Sequence, residues 1–169
     1  NVFILKSSSG TTVFIDPYLN TGDPPRTVRM IPVPFDPTDV AEADAVLATH
    51  EHSDHVDGPS QGPILERTEA NFYGPDASVD AVREQDWLDE YDIEPAQLER
   101  ITEGDSVRIG DLTVHVEPAN DPDAEHPVSY VFEHESGTFF HGGDARPGDF
   151  EPVGEEYDID LGEIGRAHV

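Results

Sequence analysis

The segment Thr49–Gly58 reads Thr-His-Glu-His-Ser-Asp-His-Val-Asp-Gly and carries more chemistry than any other part of the sequence. Three histidines and an aspartate fall within six positions, at His50, His52, Asp54 and His55. Imidazole and carboxylate groups are the ligands that borderline divalent metals take. Because only eight histidines occur in 169 residues, this density predicts a metal site in preference to a polar surface loop.

The neighbouring sequence places this cluster at the end of a strand. The apolar run Ala45–Ala48 predicts a buried strand, and α/β folds place their chemistry where such strands end. In an extended segment, residues two apart point to the same side, so His50 and His52 can reach one ion. Asp54 and His55 follow where we expect the chain to turn into a helix, and they suit a second ion. Two metals about 3.5–4 Å apart can share a hydroxide and clamp both ends of a hydrolytic displacement.

Acidic residues dominate the composition, with 37 aspartates and glutamates against 9 lysines and arginines and a formal net charge of −28. Apolar strand-like runs nevertheless recur along the sequence, so we expect a folded protein and not a disordered one. At roughly 1 M salt the Debye length is about 3 Å, which screens the self-repulsion of an acidic surface. The composition therefore predicts a halophilic protein.

The same features limit the expected partners. The sequence has no basic stripe that would neutralise phosphates, which argues against nucleic acid. No apolar run approaches the ~20 residues that a membrane span needs, so we expect no membrane association. The lack of cysteine fits a cytoplasmic location. Because Asn1 opens directly on an apolar strand, we expect a single domain over residues 1–169 that lacks flanking or C-terminal segments.

Hydrophobic periodicity predicts hairpins and strands that alternate with helices. The predicted strands are Val2–Leu5 with Thr11–Ile15, Ala45–Ala48, Asn71–Tyr73, Leu112–Val116, and Val128–Phe132 with Thr138–Phe140. Predicted helices cover Pro63–Thr68 and Asp76–Tyr91, and Pro37–Glu42 predicts a short helical turn. The segments Gly104–Val107 and Ile109–Asp111 are predicted as turns. This order suits sheets covered by helices.

The run Thr49–Asp57, with its His-x-His-x-Asp-His core, resembles the signature of the metallo-β-lactamase superfamily. Ile15-Asp16-Pro17 resembles the first motif of that superfamily, and Gly143-Asp144 resembles its late bridging aspartate. Within it the sequence most resembles the L-ascorbate-6-phosphate lactonase group. Further matching stretches follow in the order of that group: Tyr73-Gly74-Pro75, Val128-Ser129-Tyr130, His141-x-Gly143-Asp144 and Tyr157–Asp160. The resemblance implies an α/β (α+β) protein, an αββα sandwich of two mixed β-sheets flanked by helices.

The resemblance also implies a ligand set for two divalent ions, Zn²⁺ or Mn²⁺. One ion would be held by His50, His52 and Asp121, and the other by Asp54 and His55, with Asp144 as a bridge. His126 is the rival for the place of Asp121, five residues further on. An aspartate at this place gives the site more oxygen character, which suits Mn²⁺ as well as Zn²⁺.

Several other polar residues admit either a functional or a structural role. Asp16 is expected to orient ligands from behind, and Asp57 either to hold a ligand imidazole or to cap the next helix. Arg146 either meets an anionic substrate group or is a surface arginine. Four further histidines complete the set: His141 in the lactonase motif, His115 within a strand, His134 solvated beside a turn, and His168 in the tail, where the superfamily supplies a last metal ligand.

These observations predict a metal-dependent hydrolase in which a metal-bound hydroxide attacks a carbonyl or phosphorus centre, with Asp54 and Asp144 as catalytic residues. The resemblance implies a lactone, such as a sugar-phosphate lactone, as a small and anionic substrate, and it suggests a homo-oligomer. Two alternatives remain open. One is a phosphodiesterase or nuclease of the same superfamily, which the net charge disfavours. The other is a metal-binding module without turnover, which is favoured because the end of the sequence does not clearly supply the last histidine ligand expected in the superfamily.

Overall fold

The first of two β-sheets contains the strand that leads into the histidine cluster. The computed structural model describes residues 2–22, 29–146 and 150–164. The strands of this sheet lie in chain order: β1 (Phe3–Lys6), β2 (Thr12–Ile15), β3 (Ala45–Leu47), β4 (Asn71–Gly74) and β5 (Leu98–Arg100). β1 pairs with β2 in the antiparallel sense, and all other pairs are parallel, so the sheet is mixed.

The second sheet is also mixed and five-stranded. Its strands are β6 (Ser106–Ile109), β7 (Leu112–Pro118), β8 (Val128–His134), β9 (Gly137–His141) and β10 (Leu161–Glu163), in the spatial order β10-β9-β8-β7-β6. β10 pairs with β9 in the parallel sense, whereas the remaining pairs are antiparallel.

Helices cover the outer faces of both sheets. The first sheet packs against α1 (Gly58–Thr68), α2 (Asp76–Glu84) and α3 (Trp87–Glu90), and the second against α4 (Glu151–Glu156). The largest apolar cluster between the sheets brings residues such as Ile15 and Leu47 against Val116 and Tyr130. Since both faces of β2 and β3 are buried, these strands are continuous apolar runs. The αββα sandwich of two mixed sheets is confirmed.

The helices differ in three places from the periodic pattern, which did not predict α4. The helix predicted over Pro63–Thr68 begins five residues earlier, at Gly58, where the side chain of Asp57 accepts a hydrogen bond from the Ser60 backbone N–H. The first turns contain glycine and proline, which are poor helix formers and give no apolar spacing, so the sequence pattern does not indicate where this helix begins. The helix predicted over Asp76–Tyr91 is two helices, because Asp86 between them has a left-handed φ of 57°.

Three strands were missed by the periodic pattern. Ser106–Ile109, predicted as part of a turn region, is β6, Leu98–Arg100 is β5 and Leu161–Glu163 is β10. All three lie at an edge of their sheet, and all are short and partly charged. Edge strands of this kind are solvated along one side, so they lack the strong apolar alternation on which the prediction depends. The turn predicted over Pro37–Glu42 is a 3-10 turn over Pro37–Asp39.

The two sheets are tied together where β3 ends. The hydroxyl of the buried Tyr130 in β8 donates to the Ala48 carbonyl at 2.5 Å. The Val128 backbone N–H donates to the Thr49 carbonyl at 2.9 Å. These bonds fix the end of β3 against the start of β8, which positions the following histidines between the sheets. Within the three described stretches, no helix is long and apolar enough to cross a membrane.

Candidate metal centre

The first group of converging ligand atoms consists of His50, His52 and Asp121. These atoms lie within 4.8 Å of one another. His50 Nε2 is 2.9 Å from His52 Nδ1 and 3.6 Å from Asp121 Oδ2, and His52 Nδ1 is 3.7 Å from the same oxygen. His50 and Asp121 are buried, while the His52 side chain is 36% exposed. The loop after β7 therefore brings an aspartate to a pair of histidines about seventy positions earlier in the chain.

A second group shares His50 and adds His55 and Asp144, again with ligand atoms within 4.8 Å. His55 Nε2 lies 3.5 Å from Asp144 Oδ2, and the rings of His50 and His55 are 3.9 Å apart between centroids. Asp54 lies at the rim: its side chain is 52% exposed, with Oδ2 3.9 Å from His55 Nε2. The structure thus brings all six predicted ligands to one place, with Asp54 on the solvent side.

His126, the rival of Asp121, lies apart from both groups in the described part of the chain. It is exposed and has a left-handed φ of 51°. It lines a recess of about 300 Å³ together with Asp121. The geometry therefore favours Asp121 as the third member of the first group.

The hydrogen bonds of the three clustered histidines fix which ring nitrogen of each is free. Thr49 Oγ1 donates to Asp16, so its oxygen accepts from His50 Nδ1 at 3.0 Å and leaves His50 Nε2 as an acceptor. His52 Nε2 donates to the Asp123 carbonyl at 3.1 Å, which leaves its Nδ1. His55 Nδ1 lies 2.9 Å from Asp16 Oδ2, which leaves its Nε2. Each histidine has one ring nitrogen within 3.1 Å of an oxygen and its other nitrogen among the converging ligand atoms, the usual support of metal-binding imidazoles.

Asp16 and Asp57 support the cluster in different ways. Asp16 is buried at the end of β2, has a left-handed φ of 45°, and accepts from the Thr49 N–H at 2.8 Å and the Thr49 hydroxyl at 2.7 Å. It also pairs with His55, so it orients a ligand from behind. Asp57 caps α1 and accepts a hydrogen bond from the Asn20 side chain at 3.3 Å, which is the capping alternative of its two predicted roles.

The two buried histidines of the cluster, His50 and His55, differ in their charge. Burial, with the charge of His55 nearby, lowers the pKa of His50 to about 4, so His50 is neutral near pH 7. Burial also lowers the pKa of His55, but the carboxylates of Asp16 and Asp144 more than offset this and raise it to about 10. Burial raises the pKa of both of these carboxyl groups, but their pairing with His55 outweighs it and leaves both values below the usual range. The cluster therefore already holds one positive charge, on His55, between two ionised carboxylates.

A cavity of about 350 Å³ opens on this cluster. Asp16, His55 and Asp144 are among the residues that line it, and so are Arg29 and Ile31. Pockets of this size take small molecules. Arg29 comes from the proline-rich segment after β2. Neither hydrophobic periodicity nor a motif indicates it there, so the sequence analysis missed this residue.

The remaining predicted polar residues fall mostly outside the cluster. His141 lines the cavity, accepts from the Gly143 N–H at 3.2 Å through Nδ1, and has Nε2 3.1 Å from Glu163. His134 was predicted to be solvated, which is wrong: its side chain is 9% exposed and pairs with Asp111 at 2.9 Å.

His115 and Arg146 belong to neither group of converging ligand atoms, and His168 lies outside the described residues. His115 is half-buried in β7 and pairs with Glu133 at 2.7 Å, as expected for a packed strand residue. Arg146 is exposed, and its backbone N–H donates to the Asn120 carbonyl at 3.2 Å.

Comparison with known proteins agrees with this geometry. A model of the β-lactamase superfamily domain matches residues 11–161. Probable L-ascorbate-6-phosphate lactonases UlaG from Escherichia fergusonii and Escherichia coli are 27% and 26% identical over 201 residues. The match covers 93% of this chain and 55% of each relative, so the chain spans about half the length of these curated relatives.

Solved structures show the same fold at lower identity. Igni18, a metallo hydrolase from Ignicoccus hospitalis, is 18% identical with a TM-score of 0.62, over 95% of this chain and 65% of its own. CmlA, a diiron β-hydroxylase from Streptomyces venezuelae, is 19% identical with a TM-score of 0.63, over 90% and 30%. Likeness at this level concerns the fold alone. From the family match over residues 11–161, the chain belongs to the metallo-β-lactamase superfamily and is similar to its L-ascorbate-6-phosphate lactonase-like members.

Proposed function

We propose that this member of a metallo-hydrolase superfamily hydrolyses small lactones, with a phosphorylated sugar lactone as the favoured substrate, and that it depends on two divalent metal ions. The observation that carries the proposal is the arrangement of the clustered histidines. Three imidazoles each have one ring nitrogen within hydrogen-bond distance of an oxygen, and the other nitrogen lies near one of two buried carboxylates, Asp121 or Asp144. Such an arrangement is costly to build and has an evident use when cations bind there.

The donor set fits the implied metals. His50, His52 and Asp121 would hold one ion, His55 and Asp54 the other, and Asp144 would be shared between them. The donors are imidazole nitrogens and carboxylate oxygens, which suit Zn²⁺ and Mn²⁺. The carboxylates of Asp16 and Asp144 lie 2.9 and 3.5 Å from the ring nitrogens of His55, which supports the binding of a positive charge at this place.

Bound divalent ions lower the pKa of a bound water toward neutrality and stabilise the negative charge that develops on a carbonyl oxygen. The residues of the chain supply the rest. Asp16 holds His55 through Nδ1 and keeps its Nε2 directed at Asp144. Asp54, half exposed beside His55, is placed to take up a proton on its carboxylate and pass it to solvent.

Three observations support a small lactone over a polymeric substrate. The cavity of about 350 Å³ matches a monosaccharide-sized ligand. The net charge of −28 opposes a polyanion such as nucleic acid. The relatives that match over 93% of the chain are named as probable lactonases, although at 26–27% identity and over half their length. We further propose a single domain, a cytoplasmic location and a homo-oligomer. Size-exclusion chromatography with light scattering would measure the molar mass in solution and so test the oligomer.

The test is a pair of substrates and a pair of variants. Protein loaded with Zn²⁺ or Mn²⁺ is assayed for acid release from a 1,4-lactone and for cleavage of bis-p-nitrophenyl phosphate. Wild-type protein is expected to open the lactone. His52→Ala is expected to lose bound metal and at least about a hundredfold in kcat/KM. His115→Ala, in β7 and paired with Glu133, is the matched control and is expected to keep both.

Two outcomes would contradict the proposal. Cleavage of the diester without lactone opening would favour a phosphodiesterase. Stoichiometric metal binding without turnover of either substrate would favour a metal-binding module.

A further inference from the structure

Arg29 lines the same cavity as His55 and Asp144. Its Nη1 donates to the Tyr18 carbonyl at 2.9 Å and lies 3.4 Å from the Asn20 carbonyl. These bonds anchor one side of the guanidinium group on the chain that follows β2. The side chain is therefore held in place by backbone carbonyls.

The Nε side of the guanidinium group lacks a hydrogen-bond partner in the part of the chain that the structure describes. Arg29 Nε is buried and has no hydrogen-bond partner among residues 2–22, 29–146 and 150–164. Over the same residues Arg29 forms no ion pair. This is unusual in a chain with about four acidic residues for every basic one, because a carboxylate is rarely far from any arginine. A buried, unpaired charged donor is destabilising unless something else supplies an acceptor.

The carboxylates that share the cavity with Arg29 all lie beside a histidine. Asp16 and Asp144 both flank His55, at 2.9 and 3.5 Å. Glu163 Oε2 lies 3.1 Å from Nε2 of His141, although that oxygen has no hydrogen-bond partner among the described residues. None of the three carboxylates forms an ion pair with Arg29 within the described part of the chain.

We propose that Arg29 binds an anionic oxygen group of the substrate, a phosphate or a carboxylate, while the reacting carbonyl lies at His55 and Asp144. The Nε and Nη2 hydrogens of a guanidinium point in parallel and match two oxygens of such a group. Ile31 and Pro32 line the same cavity and would face the carbon skeleton. This inference rests on the proposed lactone hydrolysis and names the residue that selects an anionic substrate.

The experiment compares three lactones that differ at C6. They are D-glucono-1,4-lactone, which is neutral, its 6-phosphate, and D-glucaro-1,4-lactone, which has a carboxylate at C6. In Arg29→Gln the KM for whichever charged lactone is the substrate is expected to rise at least about tenfold, while KM and kcat for the neutral lactone change less than about twofold. Arg29→Lys keeps the positive charge but lacks the two parallel N–H groups of the guanidinium. Its KM for the charged lactone is expected to lie between those of wild type and Arg29→Gln. The charged lactone that responds identifies phosphate or carboxylate as the recognised group.

Two matched variants serve as controls. Arg83→Gln removes the same charge on the exposed face of α2, and Arg146→Gln removes it at the exposed arginine after Asp144. Both are expected to behave as wild type. A selective loss in Arg146→Gln and none in Arg29→Gln would overturn the assignment, as would an equal loss for charged and neutral lactones in Arg29→Gln and Arg29→Lys.

Binding of inorganic phosphate to metal-loaded protein, followed by calorimetry, separates this inference from the proposed function. If no lactone is hydrolysed but Arg29→Gln weakens phosphate binding about tenfold relative to Arg83→Gln, the anion site stands and the proposed function fails. If the neutral lactone is hydrolysed but Arg29→Gln changes neither phosphate binding nor any KM, the proposed function stands and the anion site fails.

Discussion

Replacing Asp16 by asparagine tests whether the buried carboxylate behind the metal ligands sets the metal affinity. Asp16 is 4% exposed and accepts from three donors, the Thr49 N–H, the Thr49 hydroxyl and the ring N–H of His55. Asparagine has the same shape but loses the charge and presents an NH₂ group in place of one oxygen. Its remaining oxygen can still accept from Thr49, whereas the NH₂ group meets a donor.

The magnitude follows from these contacts. Loss of an outer hydrogen-bond partner of a ligating histidine weakens metal binding by about 10–100-fold, or roughly 1.4–2.8 kcal/mol. For the metal-free fold, Asp16→Asn removes about one charge-assisted hydrogen bond and costs about 1.5–3 kcal/mol. Asp16→Ala leaves all three donors buried and unpaired, and about 3–5 kcal/mol is expected, as for breaking a buried ion pair.

The assay is competition for the metal against a chromophoric chelator, with metal content measured by mass spectrometry and stability by urea unfolding. Asp44→Asn is the matched control, because Asp44 accepts from the Thr12 N–H at 2.8 Å at the other end of β2. Metal affinity within about twofold of wild type in Asp16→Asn would refute the orienting role of Asp16. An equal loss in Asp44→Asn would show that the effect is a general weakening of the sheet.

Three further predictions concern the fold. Tyr130→Phe leaves the Ala48 carbonyl unpaired between the sheets and should cost about 1–3 kcal/mol in urea unfolding, and a change near zero would show that water replaces the hydroxyl. Hydrogen bonds from Thr11 and Ser7 lower the pKa of the Asp111 carboxyl group, so its contribution is present above the ordinary value of 3.8 and is lost as the pH falls. Asp111→Asn should therefore be less stable than wild type at pH 6 and show a flatter loss of stability at acid pH; parallel curves would count against this. Finally, the net charge of −28 predicts a lower melting temperature at 0.1 M than at 2 M KCl, and full stability in low salt would exclude a halophilic adaptation.

The sequence predicts those strands and helices whose own residues carry a clear hydrophobic pattern. β2 and β3 are buried on both faces, so their apolar runs are visible without any partner. The edge strands β5 and β6 are defined mainly by the neighbour they pair with, and their own residues alternate weakly. Asp86 breaks the helix after α2 by a left-handed backbone, which aspartate tolerates but does not require. Such a break depends on packing and not on propensity.

The same distinction applies to the site. His50, His52 and His55 lie within six positions, so their spacing alone predicts that they meet. Asp121 and Asp144 arrive from loops of the second sheet, and only the resemblance to a family indicated them. Arg29 could not be found in either way, because its position depends on which backbone carbonyls the loop after β2 offers it. When a site is built from residues of two sheets, the sequence alone predicts only those residues that lie together in one segment.

A last prediction separates a metal ligand from a structural carboxylate at Asp121. This side chain is buried, and its nearest ring nitrogens belong to His50, which is neutral near pH 7, and His52. Its other oxygen accepts from the Asp123 N–H at 3.1 Å, which an asparagine oxygen can replace. A buried carboxylate without a charged partner is costly, so Asp121→Asn should leave the metal-free protein as stable as wild type or more so. With Zn²⁺ or Mn²⁺ present the order should reverse, because wild type gains more from the ion. Urea unfolding with and without chelator measures both, and destabilisation of equal size in the two states would show that Asp121 is structural.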